Sequence, residues 1–232
     1  MTQTVYIKNV FGLSPLLANL YLHYALDKWL EINYPSIRFV RYADDVVLHC
    51  NSEEEAKELL NAIRKRLTIC KLRLNETKTQ IVYCKDYRRQ KKTSYKNKFG
   101  FLGFDFKPKM LKSKQVPNVA YLGYVCEMSK KAIKRINDEW KAENWQRNST
   151  LTMSCLSLKI NPQMRGILQY YGKINHTGVH KLIRRVHYRI AKWAMNKYKS
   201  WRGSYRKVFD WLLKQKSSYP NLFYHWTIYN WI

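Results

Sequence analysis

The sequence predicts an α+β fold, a small antiparallel sheet packed with helices and followed by an all-helical region. Three observations carry that expectation. Short β-branched and aromatic runs at Ile37 to Tyr42, Val46 to Cys50, Gln80 to Cys84 and Phe99 to Phe106 read as strands. Apolar residues recur at helical spacing in the segments among and beyond them. The strand pattern ends before Ser129 and everything after it reads helical, which places a boundary at about residue 128 and divides the chain into 1–128 and 129–232.

Pro15 to Leu30 carry apolar side chains on nearly every face, with Leu16, Leu17, Leu20, Leu26 and Leu30 in helical spacing, so a buried helix is expected. The most informative stretch follows, Arg41-Tyr42-Ala43-Asp44-Asp45-Val46-Val47-Leu48. Successive strand side chains point to opposite faces, so two adjacent carboxylates share a site only where a turn joins two strands. Like charges at one hairpin tip are costly unless a cation sits beside them, and hard oxygen donors suit Mg²⁺. The plainer alternative is an Asp-rich turn with no metal. Next, Ser52-Glu53-Glu54-Glu55 is a capping box, and Ala56, Leu59, Leu60, Ile63 and Leu67 form the stripe of a helix that ends near Lys71 and packs under the hairpin. Lys85 to Lys98 is a basic, solvated loop able to touch phosphate.

After Ser129, Ile133, Ile136 and Trp140 mark an amphipathic helix with Lys130, Lys131, Lys134 and Arg135 on its other faces. A longer stripe, Val179, Leu182, Ile183, Val186, Ile190, Trp193 and Ala194, is accompanied by Lys181, Arg184, Arg185, Arg189, Lys192, Lys197 and Lys199. A solvated charged face normally mixes signs, and this region has no acid between Glu143 and Asp210. Phosphate binding is the expectation.

Composition agrees. Forty-three Lys+Arg against 16 Asp+Glu leave a formal net charge of +27, interleaved with 15% aromatic residues, which points to nucleic acid. A hydrophobic fraction of 46% excludes a disordered tail. No apolar run is long enough to span a membrane and the start has no signal-peptide pattern, so an intracellular location, cytoplasmic or organellar rather than secreted, is expected. Five scattered cysteines without CxxC spacing argue against a disulfide framework or a zinc ribbon, and His176, His180 and His187 have no neighbouring acid or thiol to complete a metal site.

Six ordered blocks resemble the group II intron-encoded reverse transcriptase/maturase family: Leu13-Ser14-Pro15 to Leu22 the palm helix, Tyr42-Ala43-Asp44-Asp45 the catalytic hairpin, Leu74-Asn75-Glu76-Thr77-Lys78-Thr79 the next motif, and Phe101-Leu102-Gly103-Phe104 the primer-grip turn. Met164 to Gly172 and Leu222-Phe223-Tyr224-His225-Trp226 resemble the maturase-specific region. The resemblance implies a partial reverse-transcriptase palm in 1–128, and a helical thumb with the maturase-specific domain in 129–232. It implies RNA-directed DNA polymerase chemistry with Mg²⁺ on Asp44 and Asp45, Asp44 being the closer ligand. Lys78, Phe101, Leu102 and Gly103 are then near nucleotide and primer. Intron RNA is bound through Arg165, Tyr170, Tyr171, Lys181, Arg184, Arg185, Arg189, Lys192, Lys197 and Lys199, with Trp201 a further stacking candidate. The partners implied are intron RNA, an RNA template with a DNA primer, and dNTPs.

The front of the chain departs from the family. The family carries a further metal-binding aspartate and a fingers region upstream of the palm helix, and this chain begins too late for either. Asp27 and Glu31, the only acids before Asp44, do not fit that role. Lys8-Asn9-Val10-Phe11-Gly12 stands where the family has a Pro-Gln-Gly-Gly-like turn, and Met1 to about Phe11 reads as foreign sequence. No His-Asn-His endonuclease segment follows Trp226. Two functional readings result. One is a truncated reverse transcriptase that is inactive unless a separate N-terminal fragment supplies the missing parts, and the other is a non-catalytic RNA-binding splicing cofactor or decaying remnant.

Overall fold

The computed structural model describes residues 3–7, 15–89, 94–113, 116, 118–174 and 176–228. The Lys8 to Gly12 turn, the first two residues of the palm-helix motif and part of the Lys85 to Lys98 loop lie outside them. Two compact units are formed, Met1–Val125 and Cys126–Ile232. As expected, the whole is an α+β mixture with small antiparallel sheets.

The first unit holds two sheets. One has the order β2-β3-β1-β4, from β1 (Gln3–Ile7), β2 (Arg38–Tyr42), β3 (Asp45–Cys50) and β4 (Gln80–Tyr83). Residues set aside as foreign in sequence thus occupy an inner strand: Ile7 pairs with Val46, and Tyr6 with both Val47 and Gln80. Thr4, Val5, Tyr6 and Ile7 are β-branched or aromatic and favour a strand locally, which the foreign-sequence reading passed over, and pairing on both edges holds the run in the sheet.

The second sheet, β5 (Phe99–Phe101), β6 (Phe104–Lys112) and β7 (Ala120–Met128), was only partly legible. Phe99 to Phe106 is not one strand but a hairpin, because Leu102 and Gly103 both take positive φ, +49° and +80°, the backbone a two-residue hairpin turn requires. Phe99 and Phe106 stack across it at 4.7 Å. The remainder of β6, whose lysines and central Pro108 mask the alternation, and all of β7, interrupted by Gly123, lie beyond the expected strands.

A helix crosses the first sheet as α1 (Pro15–Leu22), one π-helical turn (His23–Asp27) and α2 (Lys28–Asn33). Leu26 and Leu30 are buried, but Leu16, Leu17 and Leu20 are more than half exposed, so the expectation of a wholly buried helix fails for its first two turns. The stripe that packs is Leu22, Ala25, Leu26 and Leu30, and an all-apolar composition does not reveal which side that is. The helix stops at Tyr34, whose φ and ψ leave the helical region ahead of Pro35.

The capping box starts α3 (Glu53–Ile69) as expected: Ser52 Oγ accepts from Glu55 N–H at 3.0 Å, and the Glu55 carboxylate accepts from Asn51 N–H. Ala56, Leu59, Ile63 and Leu67 bury against Val46, Leu48 and Cys50 of β3. Truncating any of the larger ones to alanine costs about 2–5 kcal/mol. The opposite face of β3 is covered too, with Val47 packing beside Val82 and Phe99.

The second unit is helical: α4 (Lys130–Glu143), α5 (Met153–Tyr171), α6 (His176–Lys197), α7 (Tyr205–Ser218) and α8 (Tyr224–Ile228). Every residue of the long stripe from Val179 to Ala194 is buried, as its period required. Asn161 of α5 ties the last motif in place, its amide donating to Leu222 C=O at 3.0 Å and accepting from Tyr224 N–H at 2.9 Å.

That motif closes over α6. Phe223, His225 and Trp226 are buried, and His225 Nε2 lies 2.7 Å from Nε2 of the fully buried His187, on which Trp226 Nε1–H also converges at 3.1 Å. Burial, with the Lys216 charge second, pushes His225 down to about 3. His187 is driven down by burial first, then by His225 and Lys216. Both rings are neutral in the fold and protonate near 6.5 once unfolded, so the unfolded chain binds more protons below that pH. The unit therefore loses stability on acidification from 6.5 toward 3, by about 1.4 kcal/mol per pH unit per histidine. Melting followed by circular dichroism is expected to show this loss below about pH 6.5. His225→Gln should flatten the profile; a wild-type melting temperature that ignores pH in this window counts against the assignment.

Candidate active site and nucleic-acid interface

Tyr42 pairs with Asp45 across the β2–β3 ladder, leaving Ala43 and Asp44 as the two turn residues. Ala43 has φ +53°, a left-handed conformation that costs a residue with a Cβ about 1–2 kcal/mol and persists only where surroundings enforce it. The enforcing group is Arg41. Its Nη1–H donates to Ala43 C=O at 2.9 Å and to Asn19 Oδ1 at 2.9 Å, while Nε–H and Nη2–H grip Asp27 Oδ1 and Oδ2 at 2.8 and 2.7 Å. The π-turn matters here: a wider turn shifts the phase of the helix and buries Ala25, Leu26 and Asp27 in succession. Asp27 is thereby committed to a guanidinium.

Asp44 and Asp45 sit together at this tip, both half-buried. Strand alternation puts Asp45 on the Val47 face of β3. Its Oδ1 is buried and has no hydrogen-bond partner among the described residues. An unsatisfied buried carboxylate oxygen is unfavourable. Among the described residues no group of three or more His, Cys, Asp or Glu is assembled.

Lys78 is exposed on a tight turn built by Asn75, whose C=O accepts from Lys78 N–H at 3.0 Å and Thr79 N–H at 2.9 Å, with Thr77 Oγ–H bound to its side chain at 2.7 Å. Register fixes where that turn lies. Gln80 is level with Tyr6, and Tyr6 with Val47, so Lys78 is at the same sheet end as Asp44 and Asp45, two strand spacings away, about 10 Å. Phe101, Leu102 and Gly103 form the β5–β6 hairpin tip, with Gly103 exposed and the other two half-buried.

In the second unit the expected RNA-facing residues sort into two groups. Lys181, Arg184, Arg185, Lys192 and Lys199 are exposed, as are Arg165 and Tyr170, and Arg165 lies over the Tyr224 ring at 5.1 Å. Three others are turned inward. Tyr171 is buried, which corrects its candidacy for stacking. Arg189 donates to Trp140 C=O at 3.0 Å and Asn137 C=O at 3.4 Å, and Lys197 to Ser149 and Leu151 C=O at 3.0 and 2.9 Å. Trp201 is half-buried against Tyr198 and Trp211. The spacing in sequence puts Lys130, Lys131, Lys134 and Arg135 on the outer faces of α4 and does not join them to α6. The fold opposes the two helices across a groove of about 720 Å³.

The first unit thus presents an acidic hairpin and the second a basic helical surface. The sequence pattern of the reverse transcriptase (RNA-dependent DNA polymerase) family matches residues 11–126, and that of the group II intron maturase-specific domain matches residues 133–211. The chain belongs to the group II intron reverse transcriptase/maturase family, with RNA-directed DNA polymerase ancestry and a role in intron splicing. Comparison with curated proteins returned no match. The family uses Mg²⁺ and acts on nucleic acid. No helix among the described residues is long and apolar enough to cross a membrane.

Both side chains of the Arg41–Asp27 pair are 12% exposed, so removing one partner strands the other. Arg41→Ala is expected to cost about 3–5 kcal/mol in urea unfolding. The double variant with Asp27→Ala should recover part of that loss, whereas additive costs would show the pair to be uncoupled.

Proposed function

We propose that Asp44 and Asp45 are the metal-holding carboxylates of a nucleotidyl-transfer centre, and that the helical unit holds intron RNA through phosphate contacts. The observation that carries the first part is the partnerless buried Oδ1 of Asp45, set beside Asp44 on a strained, clamped turn. Asp44 and Asp45 would hold Mg²⁺, which when bound activates the attacking oxygen and stabilises the leaving one. On this reading Lys78 faces the departing pyrophosphate and Phe101, Leu102 and Gly103 seat the primer end. The first unit is a palm, and the second a thumb continued by the maturase-specific domain. An RNA template with a DNA primer, dNTPs and intron RNA are the partners, and the compartment is that of the intron, cytoplasmic or organellar.

A second reading, an RNA-binding splicing cofactor without polymerase chemistry, is favoured by one observation: among the described residues the hairpin pair has no third carboxylate to complete the cage. Primer extension separates the two. The 232-residue polypeptide assayed by itself should extend no primer. Adding in trans a fragment with the family's fingers and its upstream metal-binding aspartate should restore extension on an RNA template with Mg²⁺ and dNTPs. Asp44→Ala should abolish the restored activity and leave RNA affinity nearly unchanged. Extension that survives Asp44→Ala would remove the hairpin from the mechanism, and failure of every complementing fragment would leave the splicing-cofactor reading.

RNA affinity is expected to fall about 10³- to 10⁵-fold between about 50 and 200 mM salt if roughly six to ten phosphates are neutralised. A salt-independent titration, or affinity undiminished after deletion of the residues beyond Glu127, would overturn the phosphate-contact reading.

A further inference from the structure

The groove between α4 and α6 differs from a flat basic surface. One stripe of α6 lines one wall with Lys181, Arg185, Tyr188 and Lys192, and Lys134 of α4 stands on the other. Among the described residues Asp138 is the only acid lining it, and its carboxylate is held by Lys141 Nζ at 3.3 Å. The groove is preformed, because Arg189 beneath it bonds to two carbonyls of α4 and locks the walls together.

The second observation is Tyr188. It is the one aromatic among the described residues lining this groove, and 46% of it is exposed. Its ring makes T-shaped contacts with Tyr205 at 5.8 Å and 71° and with Phe209 at 5.6 Å and 87°, which restrain its plane while nearly half of the residue stays exposed. A rigid, half-exposed ring among cations is suited to stacking a base whose flanking phosphates meet the lysines and arginines. A base in a duplex is already stacked on its neighbours and offers no face to a side chain in a recess, so the groove discriminates for an unpaired nucleotide.

Resting on the RNA-binding reading above, we propose that the α4–α6 groove is a site for a single-stranded RNA segment, with one unpaired base on Tyr188 and the adjoining phosphates on Lys134, Lys181, Arg185 and Lys192. The test is fluorescence anisotropy of the full chain with a labelled single-stranded RNA and with a blunt duplex of the same length. Tyr188→Leu, which keeps apolar bulk against Tyr205 and Phe209, should weaken single-strand binding roughly 5- to 150-fold. Tyr188→Phe should retain it, and neither should change duplex affinity. Arg185→Ala should lower the slope of log affinity against log salt by about one, whereas Tyr188→Leu should leave that slope unchanged. Wild-type binding of single strands with no loss in Tyr188→Leu, or equal losses for single strand and duplex, overturns the groove proposal while RNA binding by the unit stands. Absence of any RNA binding by the wild-type chain at low salt overturns both.

Discussion

The carboxylate hairpin depends on one guanidinium. Arg41 leaves β2 just before the turn, and five donor contacts join it to Asp27, Asn19 and the Ala43 carbonyl. The two carboxylates it positions lie beyond it in the chain, while the acid that neutralises it comes from the helix before. Without that acid, a buried cation would sit beside Asp44 and Asp45 and compete with any metal for their charge. With it, Arg41 is locally neutralised and its geometry is spent on holding a backbone conformation that an alanine does not adopt freely. The π-turn belongs to the same arrangement, since regular α-helical phase would not bury Ala25, Leu26 and Asp27 together.

The helical unit solves a related problem on a larger scale. A chain with a formal net charge of +27 must place its cations where they do not repel one another inside the fold. Most stay exposed, but Arg189 and Lys197 turn inward and spend their donors on carbonyls of the segments packed against α6. Burial, the Arg185 charge second, lowers the Arg189 pKa without bringing it near neutrality. Such residues stiffen the scaffold that displays the remaining cations. The buried histidine pair is the other polar feature of this core, kept neutral by burial and closed over by Phe223 and Trp226.

These two devices explain why residue type alone does not separate the exposed cations and rings from the structural ones. Lys181, Arg185 and Arg189 lie on one stripe of α6 and are indistinguishable by charge or spacing, yet Arg189 is structural because α4 offers two carbonyls within its reach. Tyr170 and Tyr171 are adjacent, and helical phase exposes the first and buries the second. His187, which has no neighbouring acid or thiol in sequence to make a metal site, is a core residue whose partner lies 38 positions later.

Local periodicity, capping chemistry or a contiguous motif encodes the carboxylate hairpin, the capped α3, the buried stripe of α6, the basic character of the region after Ser129 and the family, and each is readable along the chain. Packing between distant segments makes Gln3–Ile7 an inner strand, turns Leu16, Leu17 and Leu20 outward, joins Asp27 to Arg41, and sets the cations of α4 and α6 across a groove around Tyr188. The physical reason is common to all four. Strand partners, the buried side of an all-apolar helix, the acid that meets a given arginine and the walls of a groove are set by residues distant in the chain, and no local pattern records them.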